Sequence, residues 1–385
     1  MRNQNHQTFM KRLLLLALCA LFSANAGART LYVDASRPNN NGNGLSRAKA
    51  KKTIQAAINV AQAGDTILVY PGKYAPIKTN NRKIVVKSVC GKGSTTVVRP
   101  KTKTVVATTP CYVALAEMGK AYKLSYVATS GPDKGKRKTC TAFRGGTAST
   151  IAGFTLNGRN WDAVTTGVHA GVLKSCRIVN LGDGSPSSRY NTITAAWDAK
   201  LVRCIVENNY VYSLGAFLSC RLNRCIVRGN QGIDWTASFA YNTTFSNTLI
   251  ASNEFYDSYM VGGCSFWNCT IADNVLSLNS TSSDNRYVNC ILRNNCDVCW
   301  DRGGWSTEIV PIDRYTTGTF TATYKKNKNP RFVDAGSGNY RLRKESPCIG
   351  MGKVSDTIRK KIGAKDLAGR KRIRGGAVDM GCYEY

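Results

Sequence analysis

Two aspartates and a series of cationic side chains are the residues of this sequence whose types and spacing could do chemistry. Asp234 and Asp257 each stand nine residues after Cys225 and Thr248, which are matching positions in consecutive copies of a repeat. Matching side chains on parallel coils lie one strand spacing apart, ~4.8 Å. Two carboxylates that close either share a cation or force one pKa upward. The first outcome is a calcium site held by Asp234 and Asp257, and the second is a glycosidase-type acid pair. Trp235, Tyr256 and Tyr259 lie beside them in sequence and offer rings on which a sugar can stack. A pair of loop aspartates screened by nearby arginines is the bland reading of the same residues.

Lys174, Arg177, Arg203, Arg224, Arg228 and Arg293 fall in the outward columns of the repeat and form a basic strip. Such a strip attracts polyanions. Against a uronate it can also neutralise the carboxylate, while a Lys or Arg with basic neighbours removes the C5 proton. On that chemistry Lys174, Arg203 and Arg224 are candidate catalytic residues alongside the aspartates, and Arg228 is a candidate substrate contact. A merely solvated face accounts for the same columns. Beyond the leader only His169 remains, which argues against histidine-centred triads and multi-histidine zinc sites.

The elements that must position these residues are legible as a repeat. The segments at 151–157, 173–180, 201–209, 222–230, 245–253, 266–274 and 287–295 align without gaps. Their anchors Phe154, Cys176, Cys204, Cys225, Thr248, Cys269 and Cys290 are 22, 28, 21, 23, 21 and 21 residues apart. A period near 22 with apolar and polar positions alternating predicts a β-solenoid. Anchors and the aliphatic column two residues later (Leu156 to Leu292) point inward. The columns one before and three after each anchor point outward. Asn209, Asn230, Asn253, Asn274 and Asn295 follow the anchors by five, and asparagine suits a tight left-handed corner repeated on every coil.

At the N-terminus, Arg2, Lys11 and Arg12 precede an apolar run from Leu13 to Phe22 and small residues at Ala24 to Ala28. Residues 1–28 read as a secretory signal peptide, too short to span a membrane. The remainder carries 51 basic and 23 acidic residues, net +28. That excess calls for a polyanionic partner, and export points to acidic polysaccharide rather than nucleic acid. The protein is expected to be secreted or at the cell surface, monomeric, without a transmembrane segment, and to need no cofactor unless it binds Ca²⁺.

Fourteen cysteines lie outside the leader. Those of the ladder are expected as buried free thiols, because a ~4.8 Å stacking distance exceeds the ~3.8 Å Cβ separation a disulfide prefers. Cys296 and Cys299 leave a disulfide or a weak metal site open. Residues 29–100 read as a cap and first coils, with a helix carrying Ile54, Ala57, Ile58 and Ala61 on one face, ended by Gly64 and followed by a strand from Thr66 to Tyr70. Residues 101–328 hold the coils, with 101–148 irregular, and residues 329–385 form a C-terminal module.

Both ends resemble known proteins. T-I-Q-A-A-I…A-G-D-T-I-L-V-Y-P-G-K-Y (53–74) resembles the opening of right-handed parallel β-helix proteins of the pectin-lyase-like superfamily. N-P-R-F-V-D (329–334), N-Y-R-L (339–342), S-P-C-I-G-M-G (346–352), D-L-A-G-R (366–370) and V-D-M-G-C-Y-E-Y (378–385) resemble the choice-of-anchor Q module. The resemblance implies an all-β right-handed parallel β-helix with an N-terminal helix cap. In function it leaves open a non-catalytic surface protein that binds acidic polysaccharide and a polysaccharide lyase or glycoside hydrolase acting on a uronate polymer such as pectate. Cys348 and Cys382 stand where relatives carry small residues, in segments expected to meet, so the resemblance also implies a disulfide between them.

Overall fold

The computed structural model describes residues 27–98, 114–127, 136–161, 166–182, 193–212, 215–233, 237–255, 261–276, 285–295, 299–301, 304–306 and 329–385. Within them the chain winds through three parallel sheets of ten, nine and seven strands. One coil places Lys200–Val202 in the first sheet, Ile205–Glu207 in the second and Phe217–Leu218 in the third. The next repeats the path with Arg221–Asn223, Ile226–Arg228 and Ala240–Tyr241. Pairing is in register, with Leu201 opposite Leu222, Val206 opposite Val227 and Phe217 opposite Ala240. This is the all-β right-handed parallel β-helix that the period demands.

A two- or three-residue strand buries too little apolar surface to persist alone, so stability comes from stacking like on like. Leu173, Leu201, Leu222, Phe245, Phe266 and Tyr287 form one buried inward column. Its rings lie nearly parallel, Phe245 on Phe266 at 4.9 Å and Phe266 on Tyr287 at 4.8 Å between centroids. The ladder cysteines are buried free thiols, as expected, and a second column contains Cys220, Thr243 and Cys264.

The corners differ from expectation by one residue. Left-handed conformations occur at Asn208 (φ 54), Gly229 (60), Ser252 (54), Asp273 (55) and Asn294 (51), each just before the asparagine column. The asparagines themselves are buried and form a ladder. Each Nδ2 donates to the Oδ1 of the next coil, 2.8 Å from Asn209 to Asn230, 2.8 Å from Asn230 to Asn253 and 3.0 Å from Asn253 to Asn274. The other amide hydrogen reaches main-chain carbonyls such as Val206 O and Val227 O. A buried amide is tolerated only when its bonds are made, and this stacking makes them on every coil. The column before the anchors is also a left-handed corner, at Ser175, Arg203, Arg224, Asn247, Asn268 and Asn289.

Helix α1 (Ile54–Val60) is capped by Thr53, whose hydroxyl accepts from Ala56 N at 3.2 Å. It adds Ile54, Ala57 and Ile58 to the same core. It ends at Val60, earlier than expected, and Gly64 (φ 96) serves the turn into the strand Thr66–Val69. The stretch 101–148 is less irregular than its composition suggests. Ala114–Glu117 is a strand of the third sheet, and Lys120–Val127 pairs antiparallel with Arg137–Arg144.

Residues 329–385 fold against the outside of the last coils. Phe332–Asp334 pairs antiparallel with Asn339–Leu342, and helix α2 (Asp356–Ile362) follows, capped by Ser355. Tyr340 and Cys382 cover Leu249, Ala251 and Ala272 on the second sheet. Ile358, Ile362 and Val378 cover Trp267 and Val288 on the first. Between the two faces, the side chains of Asn247, Asn268 and Asn289 donate to the carbonyls of Ile362 (2.6 Å), Asp379 (2.9 Å) and Lys353 (2.8 Å). The expected disulfide is absent. The two tail segments do meet, with Met380 N donating to Cys348 O at 3.0 Å, but Met380 rather than Cys382 shares an apolar cluster with Cys348. Cys382 lies two residues on, in a different apolar cluster, and both thiols are free and buried.

Candidate functional site

The ten strands of the first sheet contain no aspartate or glutamate. They carry Lys87, Lys174, Lys200, Arg221 and Arg286, all exposed. These five point outward because they alternate with the buried column Val86, Leu173, Leu201, Leu222 and Tyr287. Register sets Lys200 directly opposite Arg221, while Lys174 faces Val202 on the next coil. Arg203 continues this surface as an exposed left-handed corner residue (φ 56). Arg224 occupies the same corner one coil later, half-buried beside Gly369 of the C-terminal module. The fold thus gathers Lys174 and Arg203 with Lys200 and Arg221, and the last two, each four residues before its anchor, lie outside the columns that the repeat marks as outward. Arg286 lies over the Trp267 ring at 4.8 Å.

Arg177 and Arg228 do not join that surface. They flank Glu207 on the outer face of the second sheet, where Arg228 Nε donates to Glu207 Oε2 at 2.8 Å and Arg177 Nε donates to Oε1. Burial alone works to raise the Glu207 pKa. The hydrogen bonds from Arg228 and Arg177 outweigh it and hold the carboxyl below its ordinary value. The expected substrate contact Arg228 is therefore tied into an internal ionic bridge. Asp234, Trp235, Tyr256, Asp257 and Tyr259 lie outside the described residues, as does Cys296.

A third grouping was not anticipated. Glu117 and His169 are register partners on the outer face of the third sheet, and His169 Nδ1 sits 2.9 and 3.0 Å from the two Glu117 oxygens. Gly119 N donates to Oε1 at 2.8 Å, and Trp197, the partner of His169 on the next coil, tilts against the imidazole at 5.3 Å. Glu117 and His169 are nearly inaccessible. The signal was present in A-L-A-E-M-G, T-G-V-H-A-G and T-A-A-W-D-A, three third-sheet strands of small residues ending in a polar or aromatic side chain before a corner. Glu117 and Glu207 are the only acidic residues in the strands of these three sheets, and each is buried and paired.

No family model matches this chain, and no curated protein matches it. Solved structures do. A pectate lyase, Pel9A, aligns over 94% of this chain and 98% of its own at 14% identity with a TM-score of 0.53. A rhamnogalacturonan lyase aligns over 87% and 99% at 14% identity, TM-score 0.45. A pectin methylesterase from Aspergillus niger covers 76% of this chain and 94% of its own at 10% identity, TM-score 0.34. The first of these establishes a shared parallel β-helix architecture over nearly the whole chain.

Proposed function

We propose that this is an exported, non-catalytic β-helix protein that binds acidic polysaccharide along the outer face of its first sheet. The observation that supports it is the absence of any acid in ten strands that present Lys87, Lys174, Lys200, Arg221 and Arg286 to solvent. Residues 1–28 act as the leader that exports it. The 329–385 unit, with its likeness to choice-of-anchor Q modules, closes the C-terminal coils, and the protein works as a monomer. Retention on immobilised polyuronate tests the reading. At low salt the wild type should be retained, and a Lys174→Ala/Lys200→Ala/Arg221→Ala variant of unchanged melting temperature should elute at clearly lower salt. Equal elution of the two proteins would defeat it.

A lyase is the second reading, and the architecture shared with pectate lyase favours it. It would place Lys174, Arg203 and Arg224 at the reacting uronate, with Ca²⁺ held by Asp234 and Asp257. Formation of unsaturated uronate product, abolished by Arg203→Ala, would establish it. If Ca²⁺ raises the melting temperature of the wild type but not of Asp234→Asn, the metal belongs to that pair.

A further inference from the structure

Where the C-terminal module meets the last coil of the second sheet lies a cavity of about 580 Å³ lined by Arg293, Arg331, Arg343, Phe332, Asn294 and Glu345, among others. Its size is that of an ordinary small-molecule site. Three arginines line it, and among the described residues none is engaged in an ion pair, although Arg343 Nη2 donates to Val333 O at 2.6 Å. Elsewhere Arg177 and Arg228 are bound by Glu207, Arg372 by Glu384 and Arg29 by Asp65. Asp273, at the cavity wall, is spent internally, its oxygens accepting from Asn294 Nδ2 at 3.1 Å and Tyr340 OH at 2.6 Å. Arg331 is held at φ 55, in the left-handed region, by the Asn329 side chain accepting from its amide at 2.8 Å. Phe332, fixed edge-on against Tyr340 at 5.3 Å, supplies an apolar wall.

We propose that this cavity binds a single anionic sugar unit, a pyranose bearing one carboxylate, and so serves as the subsite for one residue or end of the polysaccharide. Guanidiniums grip a carboxylate bidentately. Phe332 packs on the ring, and Asn294 and Glu345 take up hydroxyls. The inference rests on the acidic-polysaccharide reading but on a different surface from the first-sheet face, so the two can fail separately.

The experiment titrates a uronate trisaccharide, a neutral trisaccharide and polyuronate against the whole protein, Arg293→Gln, Arg331→Asn and the first-sheet triple variant. Asparagine keeps the left-handed backbone, and melting temperatures verify folding of each variant. Expected is binding of the uronate trisaccharide, not the neutral one, weakened roughly tenfold or more by either cavity substitution and unchanged in the triple variant. Trisaccharide binding that is absent, equally tight for the neutral sugar, or indifferent to Arg293 and Arg331 overturns the subsite. If the polymer is then still retained through the first sheet, the proposed function survives. Loss of polymer retention with intact trisaccharide binding would instead remove the first-sheet reading and leave the subsite.

Discussion

Glu207 shows how a single side chain can decide which cations are available to a partner. Its two oxygens engage Arg177 and Arg228, so two of the guanidiniums that would otherwise face solvent are neutralised on the second sheet. Glu207→Gln should free both. Retention on polyuronate at fixed salt is expected to rise, while stability falls by about 1 kcal/mol, modest because both arginines are substantially exposed. Unchanged retention together with an unchanged melting temperature would mean that the bridge does neither job. Asn253 makes the complementary case inside the coil. Its amide bridges Asn230 and Asn274 and also reaches Val227 O, so Asn253→Ala leaves buried partners unpaired on both sides. A loss of about 1–3 kcal/mol in denaturant unfolding is expected. The sequence revealed this column by its period but not its depth, because asparagine serves corners and buried ladders equally well and only the register tells them apart.

Among the elements, the C-terminal module is held by a buried ionic cluster whose titration should govern its docking. Burial raises the Glu384 pKa to about 8, and Asp379 and Asp366 push the same way against the opposing charge of Arg372. A carboxyl whose folded pKa lies above its unfolded value near 4.5 contributes stability that is fully present below the unfolded value and lost as pH rises through about 8. The melting temperature is therefore expected to fall between pH 5 and pH 8, and Glu384→Gln should flatten that slope. A slope that persists in the variant would place the titration elsewhere. That the stretch 329–385 departs from the coils was legible, because the repeat is lost at Asn329. What it covers was not, since nothing local in Asn247, Asn268 or Asn289 separates an outward corner residue from one buried against Ile362, Asp379 and Lys353. The disulfide expectation failed for a related reason. Small residues mark close packing, but a two-residue offset in an extended segment places Met380, not Cys382, in the cluster of Cys348.

For the whole molecule, the period near 22 residues was enough to give the solenoid, because a column that repeats in sequence must stack in space. The third sheet escaped notice, since its strands are two to four residues long and mostly small, and with it went the Glu117–His169 pair. Stacking also fixes the dimensions of the charged face. From the strand of Lys87 to that of Arg286 the first sheet runs seven steps, a span of about 34 Å. Under the proposed function, cations distributed over that distance would engage a polyanion by many weak contacts rather than one strong one, and each further unit of chain that reaches another cation would add to the effective affinity. Affinity for uronate oligomers is therefore expected to climb with chain length until the oligomer covers the face, then level off. Its salt dependence should steepen along the same series. A lyase-type cleft with a few strong subsites would level off within a few sugar units. Isothermal titration across an oligouronate ladder at two salt concentrations separates the cases, and a plateau at three or four units with a constant salt slope would count against binding along the sheet.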